Sequence, residues 1–233
     1  MKLTEAQADS ALQARNSMEN KKYYLFDLDG TLIDSMTEWC ENIDTLLAGN
    51  GVDYPEDTIN VITPMGDEKV ARHFISLGLK MTVEEIMDKM NRLSKVSYEE
   101  KILLKPFVKE YLFKCKDEGI SINLLTASPH CTLEPCLKRN GVIDLFDNLW
   151  SCSDFALAKS DVKIYEEVAK LLGTPPSNIT FFDDNNVAIR TAKKAGYKTV
   201  GVYDKFSESF WEEIKQTADS YIYSFEEIEN LDA

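Results

Sequence analysis

Downstream of Pro106, short apolar runs alternate with stretches whose apolar residues recur at helical spacing, and few folds accommodate that order. The runs are Ile120–Thr126, Asn148–Cys152, Ile179–Asp183, Lys198–Val202 and the shorter Tyr221–Tyr223. Between them Leu133–Asn140, Val162–Leu172, a stretch through Ile189 and Ala192 to Gly196, and Ser209–Thr217 read as helices. Pro106 suits the first turn of a further helix, with Val108, Leu112 and Cys115 along its apolar side. Short strands without a polar face, joined through helices, predict a parallel sheet covered on both sides.

The first half of the chain follows another pattern. Residues 1–20 are polar and read as a flexible N-terminal extension. Tyr23–Phe26 is an aromatic-rich apolar run that suits one more buried strand. Ser35–Leu47 then carries Trp39, Ile43, Leu46 and Leu47 at helical spacing. Gly66–Leu77 places Val70, Phe74 and Leu77 on one stripe, and Thr82 with Glu85 forms a capping box before Ile86, Met90, Leu93 and Val96. The expected organisation is an α/β core from 21–35 and 103–233, with an all-helical insert over 36–102.

Chemistry-bearing residues collect where the strands end. Asp27 closes the first strand and Asp29 follows one residue later, ahead of Gly30, which allows a sharp turn. Two carboxylates so close repel unless a cation lies between them, so the stretch invites a metal; a plain Asp-Gly hairpin turn is the alternative. Open parallel sheets place their sites beyond the carboxyl ends of the strands. There the sequence puts Asp27 and Asp29, then Thr126, then Lys159 after the third strand, then Asp183 and Asp184. Carboxylates hold a hard cation, while a hydroxyl and an ammonium hold transferring oxygens, so the set fits metal-assisted phosphoryl transfer. Each member also has a plainer reading. Thr126 can simply end a strand, Lys159 can be a solvated charge with Lys163 competing for its place, and Asp183–Asn186 can be a polar turn capping the next helix. His73 and His130 read as ordinary histidines, and Trp39 and Trp211 as packing.

These motifs resemble the haloacid dehalogenase-like hydrolases, in the branch with a helical cap that includes phosphoglycolate phosphatases and β-phosphoglucomutases. The matching residues are Asp27-Leu28-Asp29-Gly30-Thr31, Leu124-Leu125-Thr126, Lys159 ahead of Ile164-Tyr165, and Asp183-Asp184. The resemblance implies a Rossmann-like sheet in the order 5-4-1-2-3. It implies Asp27 as nucleophile and Asp29 as acid and base, with Thr126 and the backbone N–H of Ala127 on the phosphoryl oxygens. Lys159 would neutralise charge, and Mg²⁺ would be held by Asp27, the carbonyl of Asp29, Asp184 and Asp183. Dehalogenases of the superfamily lack an aspartate at the Asp29 place, which favours phosphoryl chemistry. Mutases tend to carry a histidine where this chain has Trp39, and phosphonate-cleaving relatives use a cap lysine, for which Lys69 has no supporting motif. The expected activity is hydrolysis of a small phosphate monoester. The alternatives are a mutase, a phosphonate hydrolase, or a phosphate-ligand-binding protein without turnover.

Specificity in this branch rests on the cap, where Thr63–Asp67 leads to Lys69 and Arg72 as candidates for a second anionic group. The formal charge of −14 argues against non-specific nucleic-acid binding and leaves a small phosphorylated metabolite as the expected partner. The five cysteines form no C-x-x-C pair, and no apolar stretch reaches the ~18–20 residues a membrane helix needs. The chain therefore reads as a cytoplasmic protein, monomer or homodimer, away from membranes.

Overall fold

In a computed structural model, residues 21–55, 58–62 and 67–230 are described; the N-terminal extension and the loop Thr63–Gly66 lie outside them. The core is a six-stranded, wholly parallel sheet of β1 (Tyr23–Phe26), β2 (Ser121–Thr126), β3 (Asn148–Ser151), β4 (Ile179–Asp183), β5 (Lys198–Val202) and β6 (Ser220–Ile222). Its order is β3-β2-β1-β4-β5-β6, the expected arrangement with β6 added outside β5.

The apolar strands have no polar face because both faces are covered. β1 sends Tyr24 and Phe26 into one cluster with Leu112, Ile122, Leu124 and Phe182. It sends Tyr23 and Leu25 into the opposite cluster with Ile164, Val168, Phe181 and Ala188, as the two-residue period of a strand requires. On that opposite face lie α8 (Val162–Leu172), ended by Gly173 in the left-handed region, and α9 (Asn186–Lys194), capped by the Asn185 side chain.

Between β1 and α5 (Val108–Asp117) the described chain is helical: α1 (Met36–Leu46), α2 (Thr58–Ile62), α3 (Asp67–Ser76) and α4 (Val83–Val96). These helices bury an apolar cluster of their own, including Ile43, Leu46, Phe74, Leu79 and Ile86. The Thr82–Glu85 capping box forms reciprocally, with Glu85 N–H donating to Thr82 Oγ1 and Thr82 N–H donating to Glu85 Oε2. Two local expectations need correcting. Val96, expected inward with Ile86, Met90 and Leu93, is exposed; Ser97, closer to the Ile86 stripe at 3.6 residues per turn, is buried instead, with Tyr98 beside it at the start of a π-helical turn over Ser97–Lys101. Pro106 does not enter the next helix, since Phe107 adopts φ +64 and α5 starts only at Val108.

The chain leaves and re-enters the core side by side. Ile33 bridges Leu104, Asp34 N–H donates to the Leu103 carbonyl at 3.0 Å and Lys105 N–H to the Leu32 carbonyl at 2.9 Å. Among the described residues no helix is long and apolar enough to cross a membrane.

Candidate active site

The carboxyl ends of β1 and β4 lie next to each other, with Phe26 paired to Phe182 and Asp27 N–H donating to the Phe182 carbonyl at 2.9 Å. Adjacent strand ends bring Asp27, Asp183 and Asp184 together, all buried, each with a carboxylate oxygen within 4.8 Å of the others'. Lys159, between α7 (Cys152–Phe155) and α8, reaches in from the β3 side. Its ammonium contacts the Asp27 carboxylate and lies 2.8 Å from Asp183 Oδ2. Lys163, the competing lysine, is exposed on α8.

Burial sets the charge state of this group. Desolvation lifts the Asp27 carboxyl well above the usual range against the pull of Lys159, and Asp183 adds to the lift. Desolvation and the neighbouring Asp183 push Asp184 up to about 7. Burial works against the Lys159 ammonium, but the flanking Asp183 and Asp27 outweigh it and keep it protonated.

A stability consequence follows. A carboxyl whose folded pKa is raised binds its proton longer in the native state, so stability falls as pH rises from the ordinary carboxylate range to about 7. In chelator without divalent cations, the melting temperature is expected to drop over that window by the equivalent of a few kcal/mol, and Asp184→Asn to flatten the slope. A wild-type melting temperature that rises over this window would contradict the assignment.

The second aspartate of the opening motif faces elsewhere. Asp29 Oδ2 accepts from Ser128 Oγ at 2.6 Å and Oδ1 accepts from the Tyr98 hydroxyl, with Thr126 Oγ1 at 3.5 Å from Oδ2. Thr126 is itself fixed at the end of β2 by accepting from Ser128 N–H at 3.0 Å, and Ala127 between them is exposed. Tyr98 is 2% exposed, and its hydroxyl lies 3.5 Å from the Trp39 indole nitrogen, which donates to it. Burial, reinforced by the Asp29 charge, keeps the phenol protonated. Trp39 thus does more than pack.

Several residues to which the sequence reading gave no part in the cluster hold it in shape. Thr31 Oγ1 and Ser207 Oγ donate to the two oxygens of Asp184 at 3.0 and 2.8 Å. Asn185 N–H donates to Asp183 Oδ1 at 2.7 Å, while the capping of α9 falls to the Asn185 side chain. Lys105 pairs with Asp204 at 2.7 Å and donates to the Gly30 carbonyl. Gly30 sits at φ +76, and a Cβ there would lie 2.6 Å from Asp184 Oδ2, so both turn and approach need glycine. Of these, Gly30, Thr31 and Asn185 stood in the sequence motifs without an assigned contact to the carboxylates, and Ser207 and Lys105 carried no local signal.

Among the described residues, the two basic candidates of the helical segment make surface contacts only. Lys69 is exposed on α3, and Arg72 pairs with Glu68 one turn earlier at 2.6 Å, both side chains about two-thirds exposed. His130 bonds to Glu134 and Asp154 at the surface.

Comparison with known proteins identifies a match between residues 21–196 and the model of the haloacid dehalogenase-like hydrolase family. The chain is 29% identical over 185 residues to hexitol phosphatase B of Escherichia coli K12, covering 76% of this chain and 82% of that one. It is 27% identical over 182 residues to validoxylamine A 7'-phosphate phosphatase of Streptomyces hygroscopicus, covering 78% and 85%. Among solved structures, CbbY of Rhodobacter sphaeroides in complex with phosphate superposes with a TM-score of 0.73 at 22% identity, over 89% of this chain and 96% of that one.

Proposed function

This chain belongs to the haloacid dehalogenase-like hydrolases, and we propose that it is a Mg²⁺-dependent phosphatase of small phosphate monoesters that works through an aspartyl-phosphate on Asp27. The observation that carries the reading is the composition of the buried cluster. Three buried carboxylates lie together, and the one lysine among them pairs with two, Asp27 and Asp183. That leaves negative charge unbalanced in a site where Asp27 and Asp184 are already pushed toward protonation. A hard divalent cation fits such an oxygen donor set. Bound by Asp27, Asp184 and the Asp29 carbonyl, with Asp183 directly or through water, Mg²⁺ would neutralise charge on the transferring group.

In this mechanism an Asp27 oxygen attacks phosphorus as the ester P–O bond breaks, and Asp29 gives its proton to the departing oxygen. Water then attacks the aspartyl-phosphate, its proton passes to Asp29, and the Asp27–phosphorus bond breaks to release phosphate. Lys159, the Thr126 hydroxyl and the Ala127 N–H hold the phosphoryl oxygens. Trp39 has no basic nitrogen with which to relay a proton, which favours hydrolysis over a mutase reaction. The helical segment 36–102 serves as the cap, with Lys69 and Arg72 meeting a second polar group of the substrate. The named relatives favour a phosphorylated sugar or polyol, and the working compartment is the cytoplasm.

The test is phosphate release from p-nitrophenyl phosphate and a panel of hexose and hexitol phosphates, with Mg²⁺ and with chelator. Turnover is expected only with the cation. No turnover of any ester under either condition would overturn the reading and favour a binding protein.

A further inference from the structure

The two crossings between the core and the helical insert are tied together by side chains, and one tie reaches a group placed in the mechanism. Asn42 Nδ2 donates to Ser97 Oγ at 3.2 Å, Ser97 Oγ donates to Glu38 Oε2 at 3.0 Å, and Lys101 pairs with Glu38 at 3.0 Å. The Trp39 indole donates to the Tyr98 hydroxyl, and that hydroxyl donates to Asp29 Oδ1. Tyr98 is 69 residues from Asp29 in sequence and comes from the wide turn that ends the insert.

We propose that Tyr98 is a positioning residue for Asp29, holding its carboxyl for proton delivery to the leaving oxygen; the proposal rests on the phosphatase reading. A carboxyl on a short side chain turns broadly about its last torsion unless both oxygens are held. Here they are held from opposite sides, Oδ1 by Tyr98 of the insert and Oδ2 by Ser128 of the core at 2.6 Å. The indole proton occupies an acceptor lobe of the phenol oxygen, which directs the phenol's own proton at Asp29. Tyr98 and Ser128 also lie 3.3 Å apart with either able to donate. When Asp29 carries the proton it will deliver, these hydroxyls turn to accept or to bond each other, and no heavy atom has to move.

The balance of the step is simple. Asp29 loses its proton to the departing oxygen as the phosphorus–oxygen bond breaks, and the new bond forms to Asp27. Misplacement of Asp29 therefore slows departure of a basic leaving group much more than that of a good one.

The experiment compares Tyr98→Phe with the full-length wild type on phenyl phosphate and p-nitrophenyl phosphate, two esters of like shape and unlike leaving groups. The readout is kcat/KM, which includes steps only through leaving-group departure. The ratio of phenyl to p-nitrophenyl phosphate is expected to fall by about tenfold or more, a fraction of the 10²–10⁴ that a general acid supplies. Equal loss on both esters, or an unchanged ratio, overturns the positioning role and leaves the phosphatase reading standing. Wild type that hydrolyses neither ester overturns that reading and this proposal with it. Should Tyr98→Phe not fold, Trp39→Phe removes the donor behind the phenol while keeping an aromatic ring, and reads the same ratio. A fall of about threefold is then expected from a misaimed hydroxyl, and an unchanged ratio overturns the proposal.

Discussion

Asp27→Asn is expected to abolish phosphate release, by about 10⁴-fold or more, because the variant loses the nucleophile and not merely a contact. The fold is expected to survive. Asn matches Asp in shape, and Lys159 keeps its pairing with Asp183 at 2.8 Å. The substitution also removes a carboxylate whose protonation is favoured by burial, so the melting temperature should shift by less than about 5 °C. Phosphate release from p-nitrophenyl phosphate, with a thermal melt on the same sample, checks both halves. Activity within tenfold of wild type would remove Asp27 as the attacking group. Lost activity with a collapsed melt would leave the nucleophile untested by this variant, and Asp27→Glu, which keeps the charge but displaces it, would then decide.

Lys159→Met carries the second large effect, and there the loss is in stability as well as rate. Met matches the length of the lysine stem but leaves Asp27 and Asp183 facing each other without a cation. Removing one partner from a buried pair typically costs about 3–5 kcal/mol. In a chain of this length that is roughly 6–20 °C in melting temperature. The deficit is expected to shrink in acid. Neutral carboxyls need no partner, and Asp27 already takes up its proton above the usual carboxylate range. Lys159 itself stays charged throughout, since its raised pKa places its own titration far above this window. Melts at pH 5 and pH 8 in chelator measure the difference; a gap that stays constant would mean the ammonium does not compensate those carboxylates. The accompanying rate loss is expected at about 10²–10³-fold, the range for one preorganised group facing developing charge.

How much of this was written in the chain divides along sequence distance. β1, β4 and α8 have the predicted bounds, since uninterrupted apolar runs and one Gly-terminated amphipathic stretch leave few choices. The meeting of Asp27, Asp183 and Asp184 was equally legible, because a parallel sheet brings strand ends to one edge whatever the connections contain. The supports were not legible. Tyr98 reaches Asp29 across 69 residues of chain, and nothing local distinguishes it from other aromatics at the end of a helix. It stands in a π-helical turn, Ser97–Lys101, that a 3.6-residue pattern does not foresee. Ser207 comes from a 3₁₀ helix, Lys205–Phe210, and Lys105 from a loop, and neither conformation is encoded by an apolar periodicity.

The bridge between Ile33 and Leu104 has an evolutionary corollary. A segment whose two ends are pinned beside each other resembles a tool in a chuck. What is clamped there can be lengthened, shortened or exchanged while the sheet beneath feels the same two anchor points, and long loops between fixed ends cost little more than short ones. Descendants of such a chain are free to change which molecule they grip while inheriting the cutting edge unchanged. The exception is a position such as Tyr98, where the tool itself touches the edge: there the exchange must carry one hydroxyl across.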